Sequence, residues 1–405
     1  MVNVAVLGYG TVGSGVVEII NRNNSVLKER IGEDIQVKYV LDLREFPDDP
    51  VSKVLVHDFD TILNDKEVSI VVETMGGVNP AYDFTKKALE AGKSVCTSNK
   101  ELVASHGYEL MKLAEAKNIN YMFEASCGGG IPIIRPLYTS LTAEVVEEIT
   151  GIMNGTTNYI LSKMDAEGAD FAEVLKEAQD KGYAEKNPEA DIEGYDPCRK
   201  ISILSSIAYG KQMDYRDVYT EGITKITADD FKYAKKLGAR IKLFGTSTNS
   251  EDGISAMVAP YMIDVTNPLY SVVDVFNAIF VKGNMLGDSM YYGSGAGKLP
   301  TASAVVGDVV DMARHPKETV NKAWSDEKIE LIPMEKVKNS FFVRVKGSVE
   351  NEGKTVSGLF GTDSFITVDE LKDEFAFITD VMPEGEFEEK LNKLPNVIGR
   401  IRARL

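Results

Sequence analysis

The chain begins with a short apolar run, Val2 to Leu7, that stops at Gly8-Tyr-Gly10-Thr11-Val12-Gly13. An amphipathic helical pattern follows, carrying Val12, Val16, Ile19 and Ile20. Three glycines at this spacing carry little weight alone. Between a strand and a helix they specify a tight turn that lets backbone N–H groups approach a pyrophosphate at a helix N-terminus. On that reading Gly8, Gly10, Thr11, Val12 and Gly13 form a dinucleotide-binding loop; the alternative is a plain strand-to-helix turn. Either way, a strand that feeds a helix favours a parallel sheet with helical crossovers.

The pattern then repeats. Val37 to Leu41 reads as a strand ending at Asp42, where an acid accepts from an adenosine ribose 2′-hydroxyl. Arg44 is close enough to meet a 2′-phosphate instead, so NAD and NADP both stay open, as does the reading of both residues as solvated loop charges. Further strands at Ser69 to Thr74, Ser94 to Thr97 and Asn120 to Glu124 alternate with helices near Ala81 to Ala91 and Glu101 to Lys117. This is α/β order, a doubly wound parallel sheet of the Rossmann type. Ligands bind beyond the carboxyl ends of such strands, which puts Thr74 and Gly76, Thr97 and Ser98, and Lys100 on the binding edge. Lys100 is otherwise a surface cation.

At 405 residues the chain calls for two or three domains. Its net charge of −17 argues against nucleic acid or an anionic membrane surface as partner. No apolar run reaches the ~18 residues of a membrane span. The opening residues read as a strand rather than a basic signal peptide. Cys96, Cys127 and Cys198 are odd in number and far apart, which fits a reducing cytoplasm and neither a disulfide framework nor a zinc motif.

Two middle segments carry chemistry. Glu124-Ala-Ser-Cys127-Gly-Gly129-Gly-Ile131-Pro132 is either a flexible hinge or a loop whose carbonyls, with one carboxylate, suit a hard cation. The second is Gly182-Tyr-Ala-Glu185-Lys-Asn-Pro-Glu-Ala-Asp191-Ile-Glu-Gly-Tyr-Asp196-Pro-Cys-Arg-Lys200. Asp196 reads as the N-cap of a helix with Pro197 at its first position. Lys200, Ile203, Leu204, Ile207 and Ala208 then share one helical face. Such a lysine usually snorkels at the edge of a core. Here three carboxylates share its turn, which suits a tuned proton donor or a handle for a charged substrate. Between these segments, Asn154-Gly155-Thr156-Thr157 is a turn in which Thr156 or Thr157 caps a helix near Tyr159, and its free N–H groups also suit a ligand. Gly293-Ser-Gly295-Ala-Gly297-Lys-Leu-Pro300 is no phosphate loop of the NTPase kind, since Lys298 precedes Leu, and reads as a second close-approach loop ahead of a helix at 301–313.

These residues resemble the homoserine dehydrogenase family over residues 1 to about 320. Ala178-x-x-x-Gly182-Tyr through Asn187-Pro188-x-x-Asp191-Ile-x-Gly194-x-Asp196-x-x-x-Lys200 fits the family signature at every defined position. Thr97-Ser-Asn-Lys100, Glu124-Ala-Ser, Asn154-Gly-Thr-Thr-Asn-Tyr159 and Gly295-Ala-Gly297-x-Leu-Pro-Thr-Ala-Ser303 add to it. The resemblance implies reversible NAD(P)-dependent reduction of L-aspartate 4-semialdehyde to L-homoserine, on the route to threonine and methionine. It implies Lys200 as proton donor with Lys100 assisting, and Glu185, Asp191 and Asp196 as substrate ligands or supports of the lysine. It implies a sodium site at Glu124 and the carbonyls of Cys127, Gly129 and Ile131. Gly155 and Thr156, with Gly295 and Gly297, would line the substrate and nicotinamide. Assembly as a homodimer, with a tetramer as a further option, also comes from the resemblance. His57, His106 and His315 lie outside these motifs. The remaining alternatives are another amino-acid dehydrogenase with a similar lysine, and a silent NAD(P)-binding sensor.

The expected domains are residues 1–132 with 300–318 for NAD(P), and an α+β catalytic and dimerisation domain over 133–299. A linker over 319–338 and a C-terminal domain over 339–405 complete the chain. The tail reads β-α-β-β-α-β, a ferredoxin-like order, and resembles in outline the ACT regulatory domain of many family members. Its last strand alternates Ile401, Ala403 and Leu405 with Arg400, Arg402 and Arg404.

Overall fold

Strand β1 (Val2–Leu7) is buried along its whole length, as expected for a strand covered by helices on both faces of a parallel sheet. In the computed structural model, which describes all 405 residues, β1 lies at the centre of a six-stranded sheet. Its companions are β2 (Ile35–Leu41), β3 (Leu55–Val56), β4 (Val68–Glu73), β5 (Ser94–Thr97) and β6 (Tyr121–Met122), in the order β3-β2-β1-β4-β5-β6. Every pairing is parallel. The strand order therefore reverses direction between β1 and β4, where such sheets open a crevice for a dinucleotide. The helices Thr11–Arg22 and Lys298–Arg314 pack on this sheet, and Val16, Ile20, Val305 and Val309 sit in its core. The helix expected over 301–313 thus starts earlier, and the strand expected over 120–124 is limited to β6.

The second sheet has eleven strands and a mixed pattern. Its ribs are β7 (Val146–Ile152), β10 (Arg240–Ser250), β11 (Gly253–Ile263), β12 (Phe276–Gly283) and β13 (Gly287–Ser294). β10 and β11 pair antiparallel along their full length, from Arg240 opposite Ile263 to Ser250 opposite Gly253. A short strand, β9 (Tyr219–Thr220), adds to β11 in parallel. Elsewhere β8 (Lys211–Gln212) pairs with β14 (Ser325–Lys328).

The tail forms β15 (Lys338–Lys346), the helix Val349–Phe360, β16 (Phe365–Ile366), β17 (Glu374–Ile378), β18 (Met382–Pro383), the helix Glu384–Leu391 and β19 (Val397–Arg404). The order β19-β15-β17-β16 is antiparallel throughout. Its core stacks Phe341 on Phe387, with ring centroids 3.6 Å apart. The ferredoxin-like order expected from sequence is therefore present.

Its separateness is not. β19 pairs with β11, setting Tyr261 opposite Arg402, so tail and middle share one sheet. Contacts accordingly divide the chain into two units rather than three domains and a linker. One comprises Met1–Val145, Ser202–Tyr215 and Tyr291–Ile329; the other comprises Val146–Ile201, Arg216–Met290 and Glu330–Leu405. The expected linker also holds structure: β14 lies within it, and Trp324 is buried and donates to Gln212 Oε1 at 2.6 Å. A loop would not bury so large an apolar ring unless it were part of a core.

Candidate active site

At the end of β1 the chain turns so tightly that a side chain could not be fitted. Gly8 has a φ of +94°, and a Cβ on Gly13 would lie 1.9 Å from the Gly8 carbonyl oxygen. Gly10 has open space where its side chain would be and precedes the helix Thr11–Arg22, with no side chain capping that end. The first-turn N–H groups therefore face outward as donors. Thr74 Oγ1 donates to the carbonyls of Leu7 and Gly8, both at 3.0 Å, and fastens β4 to the turn. A cavity of about 510 Å³ opens here, lined by Gly8, Gly10, Asp42, Arg44, Thr74 and Gly76 among others.

Asp42 and Arg44 face this cavity as one unit. The Arg44 guanidinium meets Asp42 at 2.9 Å and 2.8 Å, and Tyr9 N–H donates to the same carboxylate at 2.8 Å. Those bonds hold the Asp42 carboxyl well below the usual carboxylate range. His57 and the apolar walls Phe59 and Phe84 also line the cavity. No motif singles out His57: its ring is placed by the Asp42 carbonyl at 2.7 Å and by Glu45 at 3.0 Å, fifteen and twelve residues away.

On the neighbouring strand ends, Thr97 is fully buried and gives its hydroxyl to Glu73 at 2.5 Å while accepting from Asn99 N–H. Its side chain is thus occupied in holding the edge together rather than facing the cavity. Burial pushes the Glu73 carboxyl up. Ser98 is half-buried beside it, and Asn99 caps the helix Lys100–Lys117, which makes Lys100 the first helical residue.

Glu124 is buried, and its two oxygens accept from the N–H groups of Ile133 at 2.7 Å, Ile134 at 2.9 Å and Arg135 at 2.6 Å. It caps the helix Ile134–Thr139 from a distance in sequence. Cys127, Gly129 and Ile131 are all buried in the following loop. That loop packs backbone to backbone on the second glycine loop. Gly130 N–H donates to Ser294 O at 3.0 Å, and a Cβ on Gly129 would meet Gly295 O at 2.2 Å. Gly297, at φ +118°, starts the helix Lys298–Arg314, and Lys298 pairs with Glu18 at 2.9 Å.

In the other unit the lysine is buried, at 8% exposure. Lys200 Nζ donates to Asp196 Oδ2 at 2.8 Å and to the Met153 carbonyl at 2.7 Å. The helix begins at Tyr195, so Asp196 stands in its first turn and is not the N-cap. That shift matters, because a carboxylate four residues before a lysine on a helix faces it directly. Nearly every side of the first three turns is buried, which exceeds the single apolar face read from sequence.

The residue that joins the cluster is Asn154. Its Nδ2 donates to Asp191 Oδ1 at 2.7 Å and to Asp196 Oδ2 at 2.8 Å, while its Oδ1 accepts from Thr157 N–H at 2.9 Å. The two carboxylates fix the amide's orientation, since the flipped amide would put oxygen against both. Asn154 is therefore also the cap of the helix Gly155–Glu167, in place of Thr156 or Thr157. Thr156 instead donates to Tyr183 O at 2.6 Å and ties that helix to the acid loop. Gly155 leaves no room for a side chain, as a Cβ would meet Val275 O at 2.9 Å. Glu185 is exposed on its loop. The cluster thus gathers Asp191, Asp196 and Lys200 around Asn154.

A parallel sheet with an open dinucleotide crevice, in a chain that also buries a lysine between a carboxylate and a carbonyl, defines an NAD(P)-binding oxidoreductase. Comparison with known proteins narrows the class. Residues 8–124 match the family model for the homoserine dehydrogenase NAD-binding domain, and residues 132–310 match the homoserine dehydrogenase model. The chain is 41% identical over 359 residues to the homoserine dehydrogenase of Neisseria gonorrhoeae, covering 86% of this chain and 82% of that one. It is 45% identical over 320 residues to the Mycobacterium tuberculosis enzyme, covering 78% and 73%. Among solved structures, the Thiobacillus denitrificans homoserine dehydrogenase aligns with a TM-score of 0.92 at 36% identity, covering 100% of this chain and 98% of that one. The chain belongs to the homoserine dehydrogenase family.

Proposed function

We propose that this enzyme interconverts L-aspartate 4-semialdehyde and L-homoserine with NAD(P)H, using Lys200 as the proton donor. The observation that carries the reading is the buried Lys200–Asp196 pair and its tie through Asn154 to Asp191. When bound, the reduced nicotinamide supplies a hydride to the aldehyde carbon. The carbonyl oxygen then gains negative charge, which the Lys200 ammonium stabilises before passing it a proton. The products are the alcohol and a neutral amine, which regains its proton from solvent. In the reverse direction the amine takes the hydroxyl proton. The substrate carries its own ammonium, and Asp191 and Glu185 are the acids that meet it, while Asp196 holds the lysine. Its carboxylate is met by N–H donors where Gly155 and Thr156 open their helix. Lys100 assists, by resemblance to the family.

Gly8, Gly10, Thr11, Val12 and Gly13 hold the pyrophosphate; Thr74, Gly76, Ser98, Gly295 and Gly297 line the nicotinamide half. Asp42 and Arg44 suit a ribose hydroxyl and a 2′-phosphate respectively. A related archaeal homoserine dehydrogenase, 27% identical with a TM-score of 0.65 and covering 77% of this chain and 97% of that one, was solved in complex with NADPH. That likeness supports NADP here alongside NAD. For a cation such as sodium, Glu124 has one lone-pair direction left of the roughly four a carboxylate offers, so such a site is led by the carbonyls of Cys127, Gly129 and Ile131. Within this reading the enzyme acts on the threonine and methionine route in the cytoplasm, as a homodimer or tetramer. Its ACT-like tail binds an effector at Gly347 to Gly353 or braces the assembly. No helix is long and apolar enough to cross a membrane.

The decisive experiment is Lys200→Ala. The variant keeps the circular dichroism of the parent and loses roughly 10²–10⁴ in homoserine turnover, the usual contribution of a placed general acid. Turnover within a few-fold of the parent would overturn the assignment. A substrate panel run with both coenzymes separates this reading from another amino-acid dehydrogenase.

A further inference from the structure

Glu221 is well separated from the acid loop in sequence and touches it in space. Its carboxylate accepts from Arg400 Nη1 at 2.9 Å, Arg402 Nη1 at 2.8 Å and Tyr219 Oη at 3.0 Å. Burial works against that charge, and the two guanidiniums outweigh it, holding the Glu221 carboxyl below the usual range. Arg402 is fully buried and also grips Glu384 with two bonds, at 2.6 Å and 2.7 Å. Arg400 and Arg402 both belong to β19, the strand by which the tail enters the sheet.

The backbone around Glu221 leaves no slack. Glu221 N–H donates to Val258 O on β11 at 2.8 Å, and Ile223 N–H donates to Ile192 O at 2.8 Å. A Cβ on Gly222 would lie 2.1 Å from that same carbonyl. From the other side, a Cβ on Gly194 would meet Val258 Cγ1 at 2.9 Å and Thr220 Cγ2 at 3.2 Å. Residues 192–194 thus rest directly on residues 220–223, and Asp191 stands at the edge of that contact, bonded to Asn154.

We propose that Glu221 is a positioning residue for the substrate loop, clamped by Arg400 and Arg402 so that the last strand of the tail fixes where Asp191 stands. This rests on Asp191 being a substrate ligand. The clamp is two-sided: the arginines hold the side chain, and the close backbone contacts pass its position to the loop. The tail therefore takes part in substrate binding without touching substrate.

The test uses the full-length enzyme, well below its melting temperature. Glu221→Ala raises the KM for homoserine about tenfold or more, as expected when a ligand is misplaced by a fraction of an ångström. The coenzyme KM and kcat stay within about threefold, and Glu221→Gln, which still accepts from the arginines, recovers most of the loss. Arg400→Met shows the same KM-selective defect in weaker form, and it decides the matter if Glu221→Ala fails to fold. A folded variant with unchanged homoserine KM overturns the proposal. So does a uniform fall in activity that follows only the amount of folded protein. If the parent does not turn over homoserine at all, the functional reading has failed instead. Hydrogen exchange then tests the clamp without substrate: faster exchange at the Ile223 amide and in 188–194 of Arg400→Met supports it, and unchanged exchange refutes it.

Discussion

Two lysines are buried in the same unit, and the chain treats them differently. Lys200 sits at the start of a helix with a carboxylate four residues back. Lys242 lies in the middle of β10, is 2% exposed, and meets only neutral oxygens: Val272 O at 2.6 Å and Asn158 Oδ1 at 3.2 Å. Burial pushes the Lys242 ammonium down to about 8, with Arg240 adding like charge. Asn158 gives its amide to the carbonyls of Asp274 and Phe276 at 2.9 Å and 3.0 Å, so Lys242 and Asn158 together fasten the 272–276 loop. Burial alone therefore does not mark Lys200 for its proposed role. The carboxylate partner, and the second acid reached through Asn154, make the difference. A buried ammonium without an anion is a strut whose charge burial opposes; one beside an anion has that charge balanced.

The comparison breaks most sharply at Asp196. Asp196→Asn keeps the shape of the side chain and strips Lys200 of its counter-charge, making it resemble Lys242. Turnover falls by about 10²-fold or more. Stability falls by about 3–5 kcal/mol, the usual cost of leaving half of a buried pair. Steady-state kinetics and a thermal melt check both; an active, undiminished variant means the carboxylate is incidental. Asn154 comes next. Asn154→Ala removes both the bridge and the helix cap, costing about 1 kcal/mol through the cap and about tenfold in kcat/KM through the bridge. Asn154→Ser separates the two, because serine still caps. It recovers the melting temperature and not the activity, and recovery of both would reduce Asn154 to a cap.

How much of this was legible depends on distance along the chain. The glycine turn and the pairing of Asp196 with Lys200 are set within a few residues, where helical and strand periods apply directly. That the sheet is parallel followed from the alternation of strands and helices. Asn154 was not legible as the hub, since its partners Asp191 and Asp196 come from thirty-seven and forty-two residues away. Read locally, Asn154-Gly155 is only a turn. The caps slipped by two or three residues: the helix carrying Lys200 begins at Tyr195, ahead of Asp196, and Asn154 caps the helix Gly155–Glu167 in place of Thr156 or Thr157. The last strand shows the same limit. Its alternation of Arg and apolar residues is legible, but not that Arg402 is fully buried, because Glu384 and Glu221 meet it from other segments. Sequence alternation tells which residues share a face, and what covers that face is a long-range fact.

The mildest expected effect on turnover sharpens the contrast from the other side. Lys242 has its usual value of 10.5 in the unfolded chain and about 8 in the fold. Above 10.5 both states are neutral, and below 8 both are charged. Between the two the unfolded chain binds more protons, so stability rises with pH across that window. At pH 7 the fold carries the whole cost of the buried charge. Lys242→Met removes the titration and replaces the stem with one of similar size, at the loss of the bonds to Val272 and Asn158. The variant should melt no lower than the parent at pH 7, and the parent should gain on it between pH 8 and 10. Homoserine turnover should stay within a few-fold. Melting curves across that range, with turnover measured alongside, decide it. A parent that fails to gain on the variant would show that the ammonium is better solvated than its neutral partners allow. Loss of turnover on the scale expected for Lys200→Ala would place Lys242 in the chemistry, and the distinction between the two lysines would fall.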